Sequence, residues 1–178
     1  DAEHFFDGYA DDPEFSMRVL LGAAEAGADC LVLCDTNGGS LPGRIESMVR
    51  DVVAAVDCAV GVHLHNDTGC GVANALAGVA GGATHVQGTI NGYGERVGNC
   101  DLVPIIANLT LKMGVETVTA DRLAELTPVA HHVAELVNFA ADPQQPYVGA
   151  TAFAHKAGLH TSAIARRRDA YEHVDPEL

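Results

Sequence analysis

The stretch Gly61-Val-His-Leu-His-Asn-Asp-Thr68 ends an apolar run and carries two histidines separated by one residue. Side chains alternate between the two faces of a β-strand, so His63 and His65 point to one face and Leu64 to the other. Two imidazoles on one face suit a divalent metal, although a structural pair is the alternative. The position favours the metal, because polar residues and Gly69 follow at once, where a strand leads into a helix.

The segments on either side of this stretch alternate between predicted strands and predicted helices. Cys30-Leu-Val-Leu-Cys34 is an apolar run too short for a helix, which is typical of a buried parallel strand. Asp12-Pro13 is a helix start, and Gly27 is its stop. Alternating segments joined by short loops predict βα units and a parallel sheet, the α/β class. The predicted strands are 30–34, 59–64 and 85–90, and predicted helices occupy 12–27, 45–56, 70–80 and 102–109.

The pattern changes after Thr119, where helical segments follow one another with no strand between them. We place a boundary near residue 118, with an α/β part over residues 1–118 and an all-helical part over residues 119–178. The first residues carry no initiator Met and read like the end of a strand, so we expect the chain to begin within a domain. The predicted helices of the second part are 122–126, 128–138 and about 151–168.

Polar residues follow each predicted strand. The carboxyl ends of parallel strands meet at one edge of a sheet, here called the carboxyl edge, where ligands bind in α/β folds. Asp35 and Thr36 alternatively turn the chain, and Glu3 is alternatively a solvated carboxylate. Asn99 alternatively caps the next helix, and Arg96 alternatively joins two loops. The residues expected at the carboxyl edge are Asp35, Thr36, His63, His65, Arg96 and Asn99, with Glu3 added if the first residues end an earlier strand.

The composition excludes several classes of partner. A net charge of −14 argues against nucleic acid and against an anionic membrane, and no apolar run approaches the length of a membrane span. The five cysteines include no C-x-x-C pair, so we expect reduced thiols and a cytoplasmic protein. Cys70 and Cys100 lie near helix starts and are either activated thiols or small buried hydrophobes. No G-x-S-x-G, P-loop or dinucleotide-binding motif is present.

Five motifs in order resemble the isopropylmalate, homocitrate and citramalate synthase family. The resemblance covers essentially the whole chain, and the first and fourth motifs most resemble the long-form citramalate synthases. The motifs are Asp1-Ala-Glu-His-Phe-Phe-Asp-Gly-Tyr9, Leu33-Cys-Asp-Thr-Asn-Gly-Gly39, His63-Leu-His-Asn-Asp67, Gln87-Gly-Thr-Ile-Asn-Gly-Tyr-Gly-Glu-Arg-Val-Gly-Asn99 and His155-Lys-Ala-Gly-Leu-His160.

The resemblance implies the C-terminal half of a TIM (β/α)8 barrel over residues 1–118, roughly strands 5 to 8, followed by a small all-helical linker subdomain over residues 119–178. It implies a divalent metal ion (Mn, Mg or Zn) held by His63, His65 and Asn99, with an Asp from near the first strand of the barrel. The implied reaction is a Claisen condensation of acetyl-CoA with a 2-oxo acid, followed by thioester hydrolysis. We expect pyruvate as the oxo acid, giving (R)-citramalate for isoleucine biosynthesis; the alternatives are a 2-isopropylmalate synthase of leucine biosynthesis and a homocitrate synthase.

The resemblance also assigns roles around the metal. Thr36 binds the carboxylate of the oxo acid, and we place Arg96 beside it as a second substrate contact. Glu3 matches the family's active-site glutamate for proton transfer, and His160 matches the base that deprotonates the acetyl methyl group. Tyr171 matches a tyrosine of the same helical part, which in the family reaches over the barrel of a second subunit. We therefore expect a homodimer with His160 and Tyr171 acting in trans.

The chain departs from the family in what it lacks. The Arg-Asp motif, one metal ligand, the first four strands and the regulatory domain are missing, so we expect a fragment that is inactive alone. Metal-dependent C–C lyases and aldolases share H-x-H but lack the segment with His160 and Tyr171. Amidohydrolases are a second rival class of enzyme, but they carry H-x-H on their first strand. The alternative to an enzyme is an inactive half-domain that only binds another protein.

Overall fold

The computed structural model describes residues 1–176, and a three-stranded parallel sheet forms its first part. The strands β1 (Cys30–Asp35), β2 (Ala59–Leu64) and β3 (His85–Gln87) lie in the order β1-β2-β3. In register, His63 of β2 lies between Cys34 of β1 and Gln87 of β3. The sheet and its order confirm the predicted α/β class, and β2 has the predicted bounds.

Residue Ala2 extends this sheet beyond β1. It forms a parallel bridge with Leu33: the Ala2 N–H donates to Val32 O over 2.7 Å, and the Cys34 N–H donates to Ala2 O over 3.1 Å. The first residues therefore pair as the end of a strand would, and Glu3 follows directly at the carboxyl edge.

Helices connect these strands, and their ends follow the caps that the sequence carries. The Asp12 side chain accepts a hydrogen bond from Phe15 N over 2.9 Å, Pro13 is the first helical residue, and Gly27 adopts φ +96°. The helices of the first part are α1 (Phe5–Asp11), α2 (Pro13–Glu25), α3 (Pro42–Val53), α4 (Gly71–Ala80) and α5 (Leu102–Leu111).

The side chains of β2 alternate between the helical layer and the opposite face. Val62 and Leu64 are fully buried, and a Cβ atom added to Gly78 of α4 would lie 3.0 Å from Val62 Cγ1. Helix α4 therefore packs closely on this face, and His63 is left on the opposite face.

In the first part, the structure differs from the prediction at the end of β3 and at the first helix. Strand β3 ends at Gln87 rather than Ile90, because its pairing with β2 stops there and the extended Thr89 bridges Asp101 instead. A 3-10 helix over Ile90–Gly92 follows, in which Asn91 and Gly92 adopt positive φ angles of 63° and 69°. Helix α1 was not predicted; the rings of Phe5 and Tyr9, four residues apart, lie 5.4 Å from each other on it.

The chain divides into two compact units, residues 1–105 and 106–178. The described part of the second unit has no strand, and its helices α6 (Ala120–Leu123), α7 (Leu126–Leu136) and α8 (Gly158–Ile164) are short. The continuous helix predicted over 151–168 was wrong: the N–H of Ala154 bonds three residues back, to Thr151 O, as in a turn, and only α8 and a 3-10 helix at Arg168–Ala170 form. The boundary near 118 stays a prediction.

Among residues 1–176, no helix combines the length and the apolar character that a membrane crossing requires.

Candidate active site

His63 and His65 lie on one side of β2 at the carboxyl edge. Their ring centroids are 5.3 Å apart with an angle of 60° between the planes, and both side chains are half-buried. Leu64 between them is fully buried on the other face. The pair thus has the arrangement that the alternation of the strand predicts.

Asn99, in the glycine-rich loop, lies beside His65. It forms an antiparallel bridge with His65, and the next N–H, of Cys100, donates to Leu64 O over 2.8 Å. Asn99 Nδ2 donates to Tyr93 O over 3.1 Å. Asn99 does not cap α5, because the Asp101 side chain accepts from Val103 N there, over 3.0 Å.

Two atoms of this group are buried without a hydrogen-bond partner among the described residues, His65 Nδ1 and Asn99 Oδ1. Leaving a buried polar atom unpaired costs roughly 1–3 kcal/mol. An imidazole nitrogen and an amide oxygen both bind divalent metals, so this donor set fits such an ion. No cluster of three or more His, Cys, Asp or Glu side chains suited to a metal occurs within residues 1–176.

Gln87 lies beside His63 on the same face. Its Oε1 atom is 3.1 Å from His63 Nδ1, and its Nε2 atom donates to Asp1 Oδ1 over 3.3 Å. Gln87 is the first residue of the fourth motif, but the sequence did not predict its contact with His63.

Thr36 and Glu3 meet at the same edge. The Thr36 hydroxyl donates to Glu3 Oε2 over 2.8 Å and accepts from the backbone N–H of His4 over 2.8 Å. His4 adopts φ 55°, so the chain turns sharply after Glu3. The pairing of Ala2 with β1 thus carries Glu3 to the place expected of it.

Arg96 joins two loops of the carboxyl edge. Its Nη2 donates to Asp67 Oδ2 over 2.9 Å and to Thr36 O over 2.8 Å, and its Nε donates to Asp67 Oδ1 over 2.8 Å. These bonds lower the pKa of the Asp67 carboxyl below its usual value, and they raise the pKa of Arg96. Arg96 therefore joins two loops, the alternative role given above, and its contact with substrate stays a prediction.

Two glycines allow these loops to approach. Gly38 adopts φ +62°, and a Cβ atom there would lie 2.9 Å from Asp67 N and closer still to Asp67 Oδ2. Gly98 adopts φ +96°, and a Cβ atom there would collide with Gly92 O. Any other residue at Gly38 would displace Asp67, the partner of Arg96.

Asp35 turns the chain, as one interpretation of the sequence held. It is almost fully buried and accepts from Ser40 N over 3.1 Å and from the Ser40 hydroxyl over 3.2 Å. Burial raises its pKa, and the bonds from Ser40 oppose that shift. Both carboxylate oxygens are therefore occupied within the loop that leads to α3.

Cys100 is a buried hydrophobe. The residue is fully buried, and burial raises the pKa of its thiol to about 11. Cys34 is also buried, and its pKa is raised to about 11, chiefly by burial and then by the Glu3 carboxylate. Neither thiol has the depressed pKa of a nucleophile.

The second unit holds an aromatic cluster of its own. The rings of His160 and Tyr171 stack with centroids 4.1 Å apart and 21° between the planes. His155 lies 5.7 Å from the His160 ring and 6.1 Å from the Tyr171 ring. The unit thus brings its two predicted catalytic side chains together, and His155 is a neighbour that the spacing did not reveal.

Comparison with known families gives two matches. The family model described as HMGL-like matches residues 5–133. A second, described as homocitrate synthase post-HMGL domain-like, matches residues 147–178.

Curated proteins similar to this chain include citramalate and 2-isopropylmalate synthases. (R)-citramalate synthase of Streptomyces coelicolor is 56% identical over 178 residues, covering 100% of this chain and 33% of that protein. That of Aquifex aeolicus is 50% identical over 179 residues, with 100% and 34% covered. 2-Isopropylmalate synthase of Leptothrix cholodnii is 39% identical, with 93% and 34% covered. The chain spans about a third of the length of these relatives.

Solved structures resemble the fold. An HMG-CoA lyase from Acinetobacter baumannii gives a TM-score of 0.63 at 22% identity, covering 81% of this chain and 49% of that one. The carboxyl transferase domain of Rhizobium etli pyruvate carboxylase gives 0.62 at 17% identity, with 70% and 20% covered. This likeness shows the fold alone, and it confirms the predicted α/β fold as part of a TIM barrel.

Proposed function

Because the chain belongs to the HMGL-like family, we propose that the protein containing it condenses acetyl-CoA with a 2-oxo acid, most specifically pyruvate, to give (R)-citramalate. The full activity belongs to a longer protein, since this chain spans about a third of its curated relatives. The identities of 56% and 50% to citramalate synthases, against 39% to a 2-isopropylmalate synthase, favour pyruvate over 2-oxoisovalerate.

One observation carries the proposal: His65 Nδ1 and Asn99 Oδ1 are buried without a hydrogen-bond partner among residues 1–176. These two residues bridge each other at the carboxyl edge, and the His65 ring lies 5.3 Å from the His63 ring. These three residues would hold a divalent metal, Mn, Mg or Zn, together with an acidic ligand from elsewhere in the protein. When bound, such an ion supplies Lewis-acid polarisation of the keto carbonyl and stabilises the negative charge that develops on its oxygen.

Thr36 and Glu3 supply the polar contacts for the oxo acid. A hydroxyl has one proton to donate, and Thr36 gives it to Glu3 Oε2 in the structure. For Thr36 to donate to the carboxylate of the oxo acid, that proton must turn away from Glu3. Glu3 is then free to exchange a proton with the oxygen of the new tertiary alcohol, and we assign it that role. Arg96 donates to the Thr36 backbone oxygen, and we assign it a second contact with the carboxylate of the oxo acid.

His160 is the base in this proposal. Its imidazole removes a proton from the acetyl methyl group, the resulting carbon attacks the keto carbon of pyruvate, and water then cleaves the thioester to release CoA. The Tyr171 ring stacks on the imidazole at 4.1 Å and so restricts its orientation. The H-x-H lyases and aldolases lack this helical segment, which favours condensation over C–C cleavage.

We also propose that the protein is a cytoplasmic homodimer in which His160 and Tyr171 of one subunit complete the barrel site of the other. The stack of these two rings supports their action as a unit, whichever subunit they serve.

The test uses the full-length protein with Mn²⁺ and acetyl-CoA, and it measures CoA release with pyruvate, 2-oxoisovalerate and 2-oxoglutarate. The proposal expects the highest kcat/KM with pyruvate and citramalate as the product. Faster CoA release with 2-oxoisovalerate would contradict the citramalate assignment and indicate an isopropylmalate synthase. Faster release with 2-oxoglutarate would indicate a homocitrate synthase. If none of the three oxo acids gives CoA release, the remaining interpretations are a C–C lyase and an inactive interaction half-domain.

A further inference from the structure

We propose that Gln87 is a positioning residue: it fixes the tautomer of His63 and thereby leaves Nε2 as the ring atom that binds the metal. The inference rests on the proposed function, because it assumes that His63 is a metal ligand.

The strand register places the two side chains together. Gln87 is the partner of His63 across the parallel pair β2 and β3, so both lie on the same face of the sheet. Gln87 Oε1 lies 3.1 Å from His63 Nδ1, within hydrogen-bond distance. Both side chains are half-buried, so the contact is only partly open to water.

The partner of the other amide atom decides which way Gln87 points. Its Nε2 donates to Asp1 Oδ1 over 3.3 Å, and an ionised carboxylate only accepts hydrogen bonds. Turning the amide round would set an oxygen against that carboxylate and lose the bond. Oε1 therefore faces His63, and since an amide oxygen cannot donate, Nδ1 of His63 must carry the hydrogen.

A neutral imidazole carries one N–H hydrogen. With that hydrogen on Nδ1, the lone pair that can bind a metal is on Nε2. Histidines that bind metals usually donate their other ring N–H to an oxygen in this way, which fixes the ring and raises its basicity. Gln87 prepares His63 for a metal before any ion binds.

His65 provides an internal contrast. Its Nδ1 is buried and has no hydrogen-bond partner among residues 1–176, so no described residue supplies it with an equivalent acceptor. Loss of the Gln87 acceptor should change the tautomer of His63 and leave that of His65 as it was. A general disturbance of the sheet would affect both rings.

The experiment uses metal-free full-length protein with ¹⁵N-labelled histidine, at a pH where the imidazoles are neutral. Histidine ¹⁵N shifts distinguish the tautomers, and the His63 signals are assigned by their loss in His63→Ala. We expect Nδ1–H in the wild type, a shift towards Nε2–H in Gln87→Leu and Gln87→Met, and Nδ1–H retained in Gln87→Glu, whose carboxylate still accepts. Having two variants without an acceptor guards against one that does not fold.

Calorimetry with Mn²⁺ alone gives the second readout. We expect Gln87→Leu to weaken binding about 10- to 100-fold and Gln87→Glu to restore most of it. Gln144→Leu is the matched control, because Gln144 is exposed in the second unit. An unchanged His63 tautomer in Gln87→Leu, or unchanged affinity for Mn²⁺, would overturn the inference. If His63→Ala also binds Mn²⁺ normally, the proposed metal site itself fails, so the two failures are distinguishable.

Discussion

The guanidinium of Arg96 binds both carboxylate oxygens of Asp67, at 2.8 and 2.9 Å, and also donates to the backbone oxygen of Thr36. The ion pair is partly exposed, so its contribution to stability is small. Its geometry matters more, because it fixes the loop after β1 against the loop after β2.

Arg96→Lys should impair substrate binding more than stability. A lysine keeps the charge but cannot bind both oxygens of Asp67 and reach Thr36 at once. We expect KM for pyruvate to rise by roughly 10-fold, since Thr36 is no longer held in place, with Mn²⁺ affinity unchanged. Steady-state kinetics of the full-length protein measure this effect. Arg50→Lys, on the exposed helical pair with Glu46, is the matched control. Wild-type KM in Arg96→Lys would contradict the role.

The pKa of Asp67 provides a direct reading of the same pair. The hydrogen bonds from Arg96 lower the pKa of Asp67 from the usual 3.8. The stabilisation that the ion pair gives to the loops is therefore complete above about pH 3.8 and is lost as the pH falls through the lowered pKa. NMR titration of the Asp67 carboxyl should therefore give a midpoint below 3.8, and Arg96→Ala should return it towards 3.8. Identical midpoints in the two proteins would mean that the pair does not form in solution.

Cys34 and Cys100 should react slowly with alkylating reagents. With a pKa of about 11, each thiol is almost entirely protonated at pH 8, with roughly one part in a thousand as thiolate. Mass spectrometry after brief alkylation should show modification of the half-buried Cys58 and Cys70 before these two. In denaturant all four should react alike. Early modification of Cys100 in the native protein would revive its interpretation as an activated thiol.

Mixing two inactive variants tests whether the helical part acts in trans. In a heterodimer of His63→Ala and His160→Ala, one site would combine an intact barrel with an intact helical part. Refolding the two together should restore about a quarter of the wild-type rate, because about half of randomly formed dimers are mixed and each has one such site. His63→Ala mixed with Asn99→Ala, both barrel variants, should stay inactive. No recovery in the first mixture would mean that the site is completed in cis.

The sequence predicted those parts of the fold that depend on residues close together in the chain. The bounds of β2, the shared side of His63 and His65, and the Asp12 cap of α2 all follow from alternation and capping, and the structure has them. The predicted end of β3 was wrong because Thr89, although extended, bridges Asp101 and not β2, and the pattern of residues does not show with which segment an extended residue pairs.

The contacts that organise the candidate site were harder to predict, because they join residues far apart in the chain. Gln87 contacts Asp1 across 86 positions, and Arg96 contacts the Thr36 backbone across 60. Which side chain at the carboxyl edge meets which depends on strand register and loop path, and neither can be read from spacing. Ser40 likewise gave no signal in the sequence, although it occupies both oxygens of Asp35.

The most direct test of the metal-dependent condensation is the rate of CoA release from acetyl-CoA and pyruvate by full-length His63→Ala, with and without Mn²⁺. His132→Ala is the matched control, since His132 is exposed on α7. We predict that the wild type and His132→Ala show Mn²⁺-dependent turnover and that His63→Ala shows none. Full turnover in His63→Ala would mean that the pair His63 and His65 is structural, and it would contradict the proposed site.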